Sequence, residues 1–141
     1  MIAIINGPNL NLLGKRQPEI YGDRSFEHFL AELRERFPLI PIEYFQSNCE
    51  GDIVTKLHSL GYDTPECKGI IMNPGAYAHY SYAIADAVSS IPVPVLEVHI
   101  SNISSREEFR RKSVTAPSCR GMISGCGLEG YALAVAFFQN L

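Results

Sequence analysis

The chain has 141 residues, 46% of them hydrophobic and 19% charged, with a formal net charge of -3. That balance fits one globular core spanning 1–141 and excludes long disordered stretches. The slight acidic excess gives no footprint for nucleic acid, which needs basic residues gathered on one face, and no run approaches the roughly 18 apolar residues of a membrane span.

The first element is the apolar run Ile2-Ala3-Ile4-Ile5, read as a strand. The chain opens on these strand-forming residues without a basic leader, so a cytoplasmic location is expected. "NGPNLNLLGKRQPEIYGDRS" follows, from Asn6 to Ser25, far longer than the ~2–6 residues that usually join strand to helix. Connections of that length are functional lids or disordered segments. Phe26, Phe29, Leu30, Leu33 and Phe37 then recur at helical spacing until Pro38 stops the helix.

Ile40 to Gln46 reads as the second strand. Ser47 and Glu50 have the spacing of a capping box, opening a helix with Ile53, Val54, Leu57 and Leu60 on its apolar face and an end near Gly61. A third strand runs from Lys68 to Asn73, a helix from about Ser81 to Ser89, and a fourth strand from Val93 to Ile100. Ser105 and Glu108 form a second capping-box pattern, so the helix it opens is expected to carry Arg106 and Arg110. Gly121 to Gly125 is the fifth strand. The last helix, from Leu128 to the C-terminus, is apolar nearly all round, which implies a subunit contact as well as a core contact. Cys49, Cys67, Cys119 and Cys126 lack Cys-x-x-Cys spacing and the density of a disulfide framework, so free thiols are expected.

Strand and helix thus alternate five times, the pattern of an α/β protein with a five-stranded parallel sheet and helices on both faces. Such sheets bind ligands beyond the C-terminal ends of their strands. That rule gathers Asn9, Asn11, Arg16 and Tyr21 with Asn73 and His79, and with Glu97, His99, Ser101 and Asn102. Taken singly, a loop arginine is usually solvated, a loop asparagine serves a turn, and a histidine is structural. Their convergence points to a site. Glu97 and His99 lie two apart on a strand, so they share a face where the carboxylate can orient the imidazole. "HISN" then leaves the strand with free backbone N–H groups and Ser101 available to a carboxylate, which suits a small anion.

The chain resembles type II 3-dehydroquinate dehydratase, the small dehydroquinase with a flavodoxin-like three-layer sandwich. The resemblance rests on "INGPNLNLLGKRQPEIYG" at Ile5 to Gly22, "NPGAYAHYS" at Asn73 to Ser81, "VPVLEVHISNISSREEFRRKS" at Val93 to Ser113, and "GLEGYALA" at Gly127 to Ala134. It implies conversion of 3-dehydroquinate to 3-dehydroshikimate without cofactor or metal, in a homododecamer built as a tetramer of trimers. Tyr21 matches the base, Arg16 the arginine beside it, His99 the general acid, Glu97 its partner, and Asn9 the asparagine that holds a water at the developing enolate. Asn73, Gly75, His79, Ser101, Arg110 and the backbone of Ile100 match groups that bind substrate. Asp86 matches an acid that reaches a neighbouring subunit's site. Ala78 and Tyr80 stand where the family often has threonines, and Gln17 where some members carry an acid.

The chemistry wants these groups. A free tyrosine has a pKa of ~10 and is almost wholly protonated at neutral pH, so a base role needs a nearby cation, which Arg16 offers. General acid help from an imidazole is worth ~10²–10⁴ in rate. A flavodoxin-like binding or signalling module is the alternative on fold alone. A receiver would want clustered acids, however, and only Glu50 and Asp52 follow strand two; a flavin carrier would want Ser or Thr in "GPNLNLLG", which has none.

Overall fold

A computed structural model describes residues 1–141. Its centre is one parallel sheet of β1 (Ile2–Asn6), β2 (Ile42–Gln46), β3 (Gly69–Asn73), β4 (Val95–His99) and β5 (Gly121–Ser124), in the order β2-β1-β3-β4-β5. That is the flavodoxin-like order. Pro41 and Pro94 set two of the strand starts, since each lacks an N–H for the ladder yet accepts from the neighbouring strand, at Ile2 N and Ile70 N respectively.

Five α-helices accompany the sheet: α1 (Pro18–Tyr21), α2 (Phe26–Arg36), α3 (Glu50–Tyr62), α4 (Tyr82–Ser90) and α5 (Glu129–Gln139). The strands' alternation sorts the core in two. Ile2, Ile4, Ile71, Leu96 and Val98 pack against α2 and α5 on one face, with Phe26, Leu33, Tyr131 and Val135 fully or nearly fully buried. Ala3, Ile5, Ile70, Met72 and Val95 pack against α3 and α4 on the other. Because both faces are covered, β1, β3 and β4 are buried at every position.

Two expected helix starts differ. The Ser47–Glu50 capping box does not form: the Ser47 hydroxyl accepts from Cys49 N and donates to Asp52, Cys49 is the N-cap, and Glu50 accepts from Ser81 Oγ instead. Nor does a helix open at Ser105, so Arg106 and Arg110 are not on one. Between β4 and β5 lie only three 3₁₀ turns, Ile103–Ser105, Glu108–Arg110 and Ala116–Ser118. Asn102 caps the first by accepting from Ser104 N, the Ser105 hydroxyl is spent as a donor to the Asn102 carbonyl, and extended Arg106 breaks the run. The irregular path lets arginines, Ser113 and Thr115 all turn inward, which one continuous helix would forbid.

The long first connection is ordered into a 3₁₀ turn, Leu10–Leu12, and the short α1. Leu10 and Leu13 anchor it in the α2/α5 core. Gln17, ahead of α1, takes a left-handed conformation with φ 43°.

Candidate functional site

At the C-terminal end of the sheet, where the connections leaving β1 and β3 diverge to opposite faces, a cleft of about 220 Å³ opens. Asn9, Arg16, Tyr21, Asn73, Gly75, His79, His99, Ile100, Ser101 and Arg110 all line it, as does Arg106. Of the residues expected there, Glu97 lies buried behind His99, and Asp86 sits exposed on α4 outside the cleft. Asn11 is exposed and Asn102 serves as a cap, so neither lines it.

Two glycines let the loops approach. A Cβ on Gly7 would lie 2.4 Å from the Pro74 carbonyl oxygen, and Gly75, at φ +61°, would press one against Pro8 at 3.1 Å. Asn9 takes a left-handed conformation with φ 68°, which asparagine tolerates better than most residues. Its backbone N–H donates 3.0 Å to Asn48 Oδ1, which also accepts from Gln46 Nε2, while the Tyr77 hydroxyl donates to the Asn48 carbonyl at 2.7 Å. The turn carrying Asn9 is therefore held by Asn48, which Gln46 and Tyr77 hold in turn.

The histidine and its carboxylate are the rigid half of the site. Parity on β4 puts them on one face, and His99 Nε2 lies 2.8 Å from Glu97 Oε2. Glu97 is 0% exposed, and its oxygens also accept from Ser113 Oγ at 2.6 Å and from Thr115 Oγ1. Three donors thus satisfy a carboxylate that the sheet has removed from water. With Nε2 engaged there, the other ring nitrogen of His99 is the one left for a ligand.

Tyr21 belongs to the looser half. The Arg16 guanidinium carbon lies 5.9 Å from its ring centroid and that of Arg106 lies 5.7 Å away. Arg106 Nη1 donates 3.2 Å to the Tyr21 hydroxyl and 3.0 Å to Ser101 Oγ. Two guanidiniums therefore flank the phenol, and one of them donates to its oxygen. His79 keeps its place without flanking threonines: its Nδ1 donates 2.8 Å to the Lys112 carbonyl, and its ring meets Phe109 edge-on at 6.2 Å. Arg110 stacks over Phe109 at 4.9 Å and pairs with Glu107. Three arginines against no lining acid make the cleft cationic.

The sequence matches the family model for Dehydroquinase class II over residues 1–139. The chain belongs to that family. A 3-dehydroquinate dehydratase from Caldicellulosiruptor bescii is 50% identical over 142 residues, covering 99% of this chain and 97% of the relative. Among solved structures, the type II dehydroquinase of Butyrivibrio crossotus superposes with a TM-score of 0.91 at 46% identity, covering 98% of this chain and 96% of that one. The type II dehydroquinase of Propionibacterium acnes reaches 0.93 at 39% identity, with 99% and 96% covered. The class II dehydroquinase assignment thus rests on sequence and fold together.

Sequence reasoning missed some of the site's partners. Arg106 had no role beyond its place on the helix expected after Ser105, and Ser113 and Thr115 carried no signal because they follow no periodic element. The one available clue was that a glutamate in a strand buried on both faces must find donors.

Proposed function

We propose that the chain is a hydro-lyase, a 3-dehydroquinate dehydratase, which converts 3-dehydroquinate to 3-dehydroshikimate and water within one catalytic domain over 1–141. The reading is carried by one observation: a tyrosine flanked by two guanidiniums and a histidine backed by a buried carboxylate line the same cationic cleft. An anionic hydroxy-ketone acid fits its charge.

In the mechanism, the Tyr21 oxygen removes a proton from the carbon next to the ketone, and the C–H electron pair moves to the carbonyl oxygen to give an enolate. Arg16 and Arg106 stabilise the phenolate that performs this step. Asn9 holds a water toward the enolate oxygen as a preorganised dipole. The enolate then collapses, the C–O bond on the opposite face breaks, and His99, oriented by Glu97, donates a proton to the departing hydroxyl. The elimination is anti, with the base on the first connection and the acid on β4 acting from opposite faces of the substrate. The substrate carboxylate and ring hydroxyls are held by Ser101, the Ile100 backbone, Asn73, Gly75, His79 and Arg110. The scheme uses no cofactor or metal, and no lysine lines the cleft to form an imine.

The first connection, Asn6 to Ser25, is then long because it is the lid that delivers the base. The enzyme is a cytoplasmic homododecamer, a tetramer of trimers, in which Asp86 serves a neighbouring subunit's site. Leu133 on α5 and Met122 on edge strand β5, 46% and 45% exposed, are apolar side chains that such an assembly would cover. An ultraviolet assay for the conjugated enone formed from 3-dehydroquinate tests the activity. Turnover is expected; a folded protein that produces no enone would refute it.

A further inference from the structure

Three polar side chains lie where the α2/α5 core would otherwise be apolar. Asn6 and Asn73 are register partners on β1 and β3, 0% and 3% exposed, and Tyr131 from α5 is 0% exposed above them. The Tyr131 ring packs against Phe26 at 4.9 Å and Phe29 at 6.0 Å, contacts that a phenylalanine would make equally well. Burying its hydroxyl and two carboxamides gains little over apolar side chains of the same shape, so their hydrogen bonds call for another explanation.

Those bonds run in one direction only. Gly75 N donates 3.1 Å to Asn73 Oδ1, which fixes the carboxamide, because the opposite flip would set the Asn73 amino group against that N–H. Asn73 Nδ2 must therefore face Tyr131, and it donates to the hydroxyl at 3.0 Å. The hydroxyl, obliged to accept there, donates 2.7 Å to Asn6 Oδ1, and Asn6 Nδ2 donates onward to the Tyr44 hydroxyl at 3.3 Å. Burial pushes the Tyr131 phenol above its ordinary range, so it remains a hydroxyl able to do both. The second Nδ2 hydrogen of Asn73 has no protein acceptor, and Asn73 lines the cleft.

We infer that Tyr131 and Asn6 are positioning residues for the reaction: together with Gly75 N they lock Asn73 so that it presents an N–H, not a carbonyl, to an oxygen acceptor on the substrate. This rests on the cleft being the dehydratase site. It predicts that the Tyr131 hydroxyl acts on catalysis only through Asn73.

The test is a double-mutant cycle in the full-length protein, with kcat/KM for 3-dehydroquinate and thermal melting measured for wild type, Tyr131→Phe, Asn73→Ala and the pair. Tyr131→Phe is expected to lower kcat/KM roughly 2- to 10-fold, the loss of one neutral hydrogen bond. In the Asn73→Ala background it should cost no further kcat/KM, while still changing the melting temperature. An equal fold-loss in both backgrounds, or unchanged kinetics with lowered melting, would overturn the inference and leave Tyr131 a purely structural residue. Should Tyr131→Phe fail to fold, Asn6→Leu is run through the same cycle with the same expectation and the same refuting results. A wild-type protein without turnover would instead overturn the functional reading itself.

Discussion

Replacing Glu97 with glutamine tests whether the buried carboxylate works on His99 or only fills the core. The side chain keeps its shape, so the outcome turns on charge. Glu97 accepts from His99, Ser113 and Thr115 with no exposure to water. A glutamine can keep its carbonyl oxygen toward His99 and Ser113 and turn its amino group to Thr115, whose hydroxyl lies 3.1 Å from Ser113 Oγ and can redirect there. The second amide hydrogen has no acceptor among these groups, which costs ~1–3 kcal/mol of stability, and the fold should survive that. What is lost is the difference between a hydrogen bond to a charged acceptor, ~1.5–3 kcal/mol, and a neutral one near ~1 kcal/mol. A deficit of about 0.5–2 kcal/mol, at ~1.4 kcal/mol per decade, corresponds to a fall in kcat of roughly 2- to 30-fold. Steady-state kinetics across pH 5–9 beside circular dichroism would measure it. Glu97→Ala is the wrong probe, since leaving three donors unmatched costs ~1–3 kcal/mol each, a large share of a total stability of ~5–15 kcal/mol. A Glu97→Gln enzyme with wild-type kcat at every pH would refute the claim that the carboxylate tunes the acid.

Tyr21→Phe should nearly abolish turnover while substrate binding, read by calorimetry, survives; near-normal kcat would send the search for the base to His79. Arg106→Ala removes a charged donor from the Tyr21 and Ser101 oxygens, so kcat should fall roughly 10- to 100-fold, with partial recovery in Arg106→Lys; a change confined to KM would make Arg106 a binding group only. Burial pushes the Cys119 thiol from 9.0 up to about 12, so the unfolded chain ionises first: stability is intact below pH ~9 and falls above it by ~1.4 kcal/mol per unit toward pH 12. Denaturant unfolding at pH 8 and 10 should lose ~1.4 kcal/mol more in wild type than in Cys119→Ala, and equal losses would refute that source. Light scattering at micromolar concentration should give about twelve chain masses; a monomer would defeat both the assembly and the role proposed for Asp86.

The regular parts of the fold were legible where packing repeats. The apolar runs of β1 and β3 and the Phe26–Leu33 stripe announce burial on two faces and on one, and parity alone put Glu97 beside His99. The failures come where a short polar motif has a competing partner. Ser47 and Glu50 have capping-box spacing, but Asp52 and Ser81 take their hydrogen bonds. Ser105 matches the pattern equally well, but Asn102 captures both ends of the turn. A local motif states a capacity; tertiary contacts decide whether it is used. Arg106 and Tyr131 were hidden for a related reason. Their partners, Tyr21 and Asn73, are 85 and 58 residues away, and no sequence period relates them.

The division of the site between rigid and loose elements has a chemical logic. His99 and Glu97 stand on a central strand, pinned by a buried network, which under the proposed mechanism holds the proton donor at a fixed place for the leaving group on every turnover. Tyr21 stands on a four-residue helix within a connection anchored by Leu10 and Leu13, and its neighbours there, Arg16 to Ile20, are half-buried at most. Segments with so few buried contacts open at low free-energy cost. Under the proposed mechanism, a base on such a segment would leave to admit substrate and return to exclude water, which would strengthen the pull of Arg16 and Arg106 on the phenol oxygen by lowering the local dielectric. The proposed anti elimination needs base and acid on opposite faces of the substrate, an arrangement that a base carried on this connection and an acid fixed on the sheet would supply.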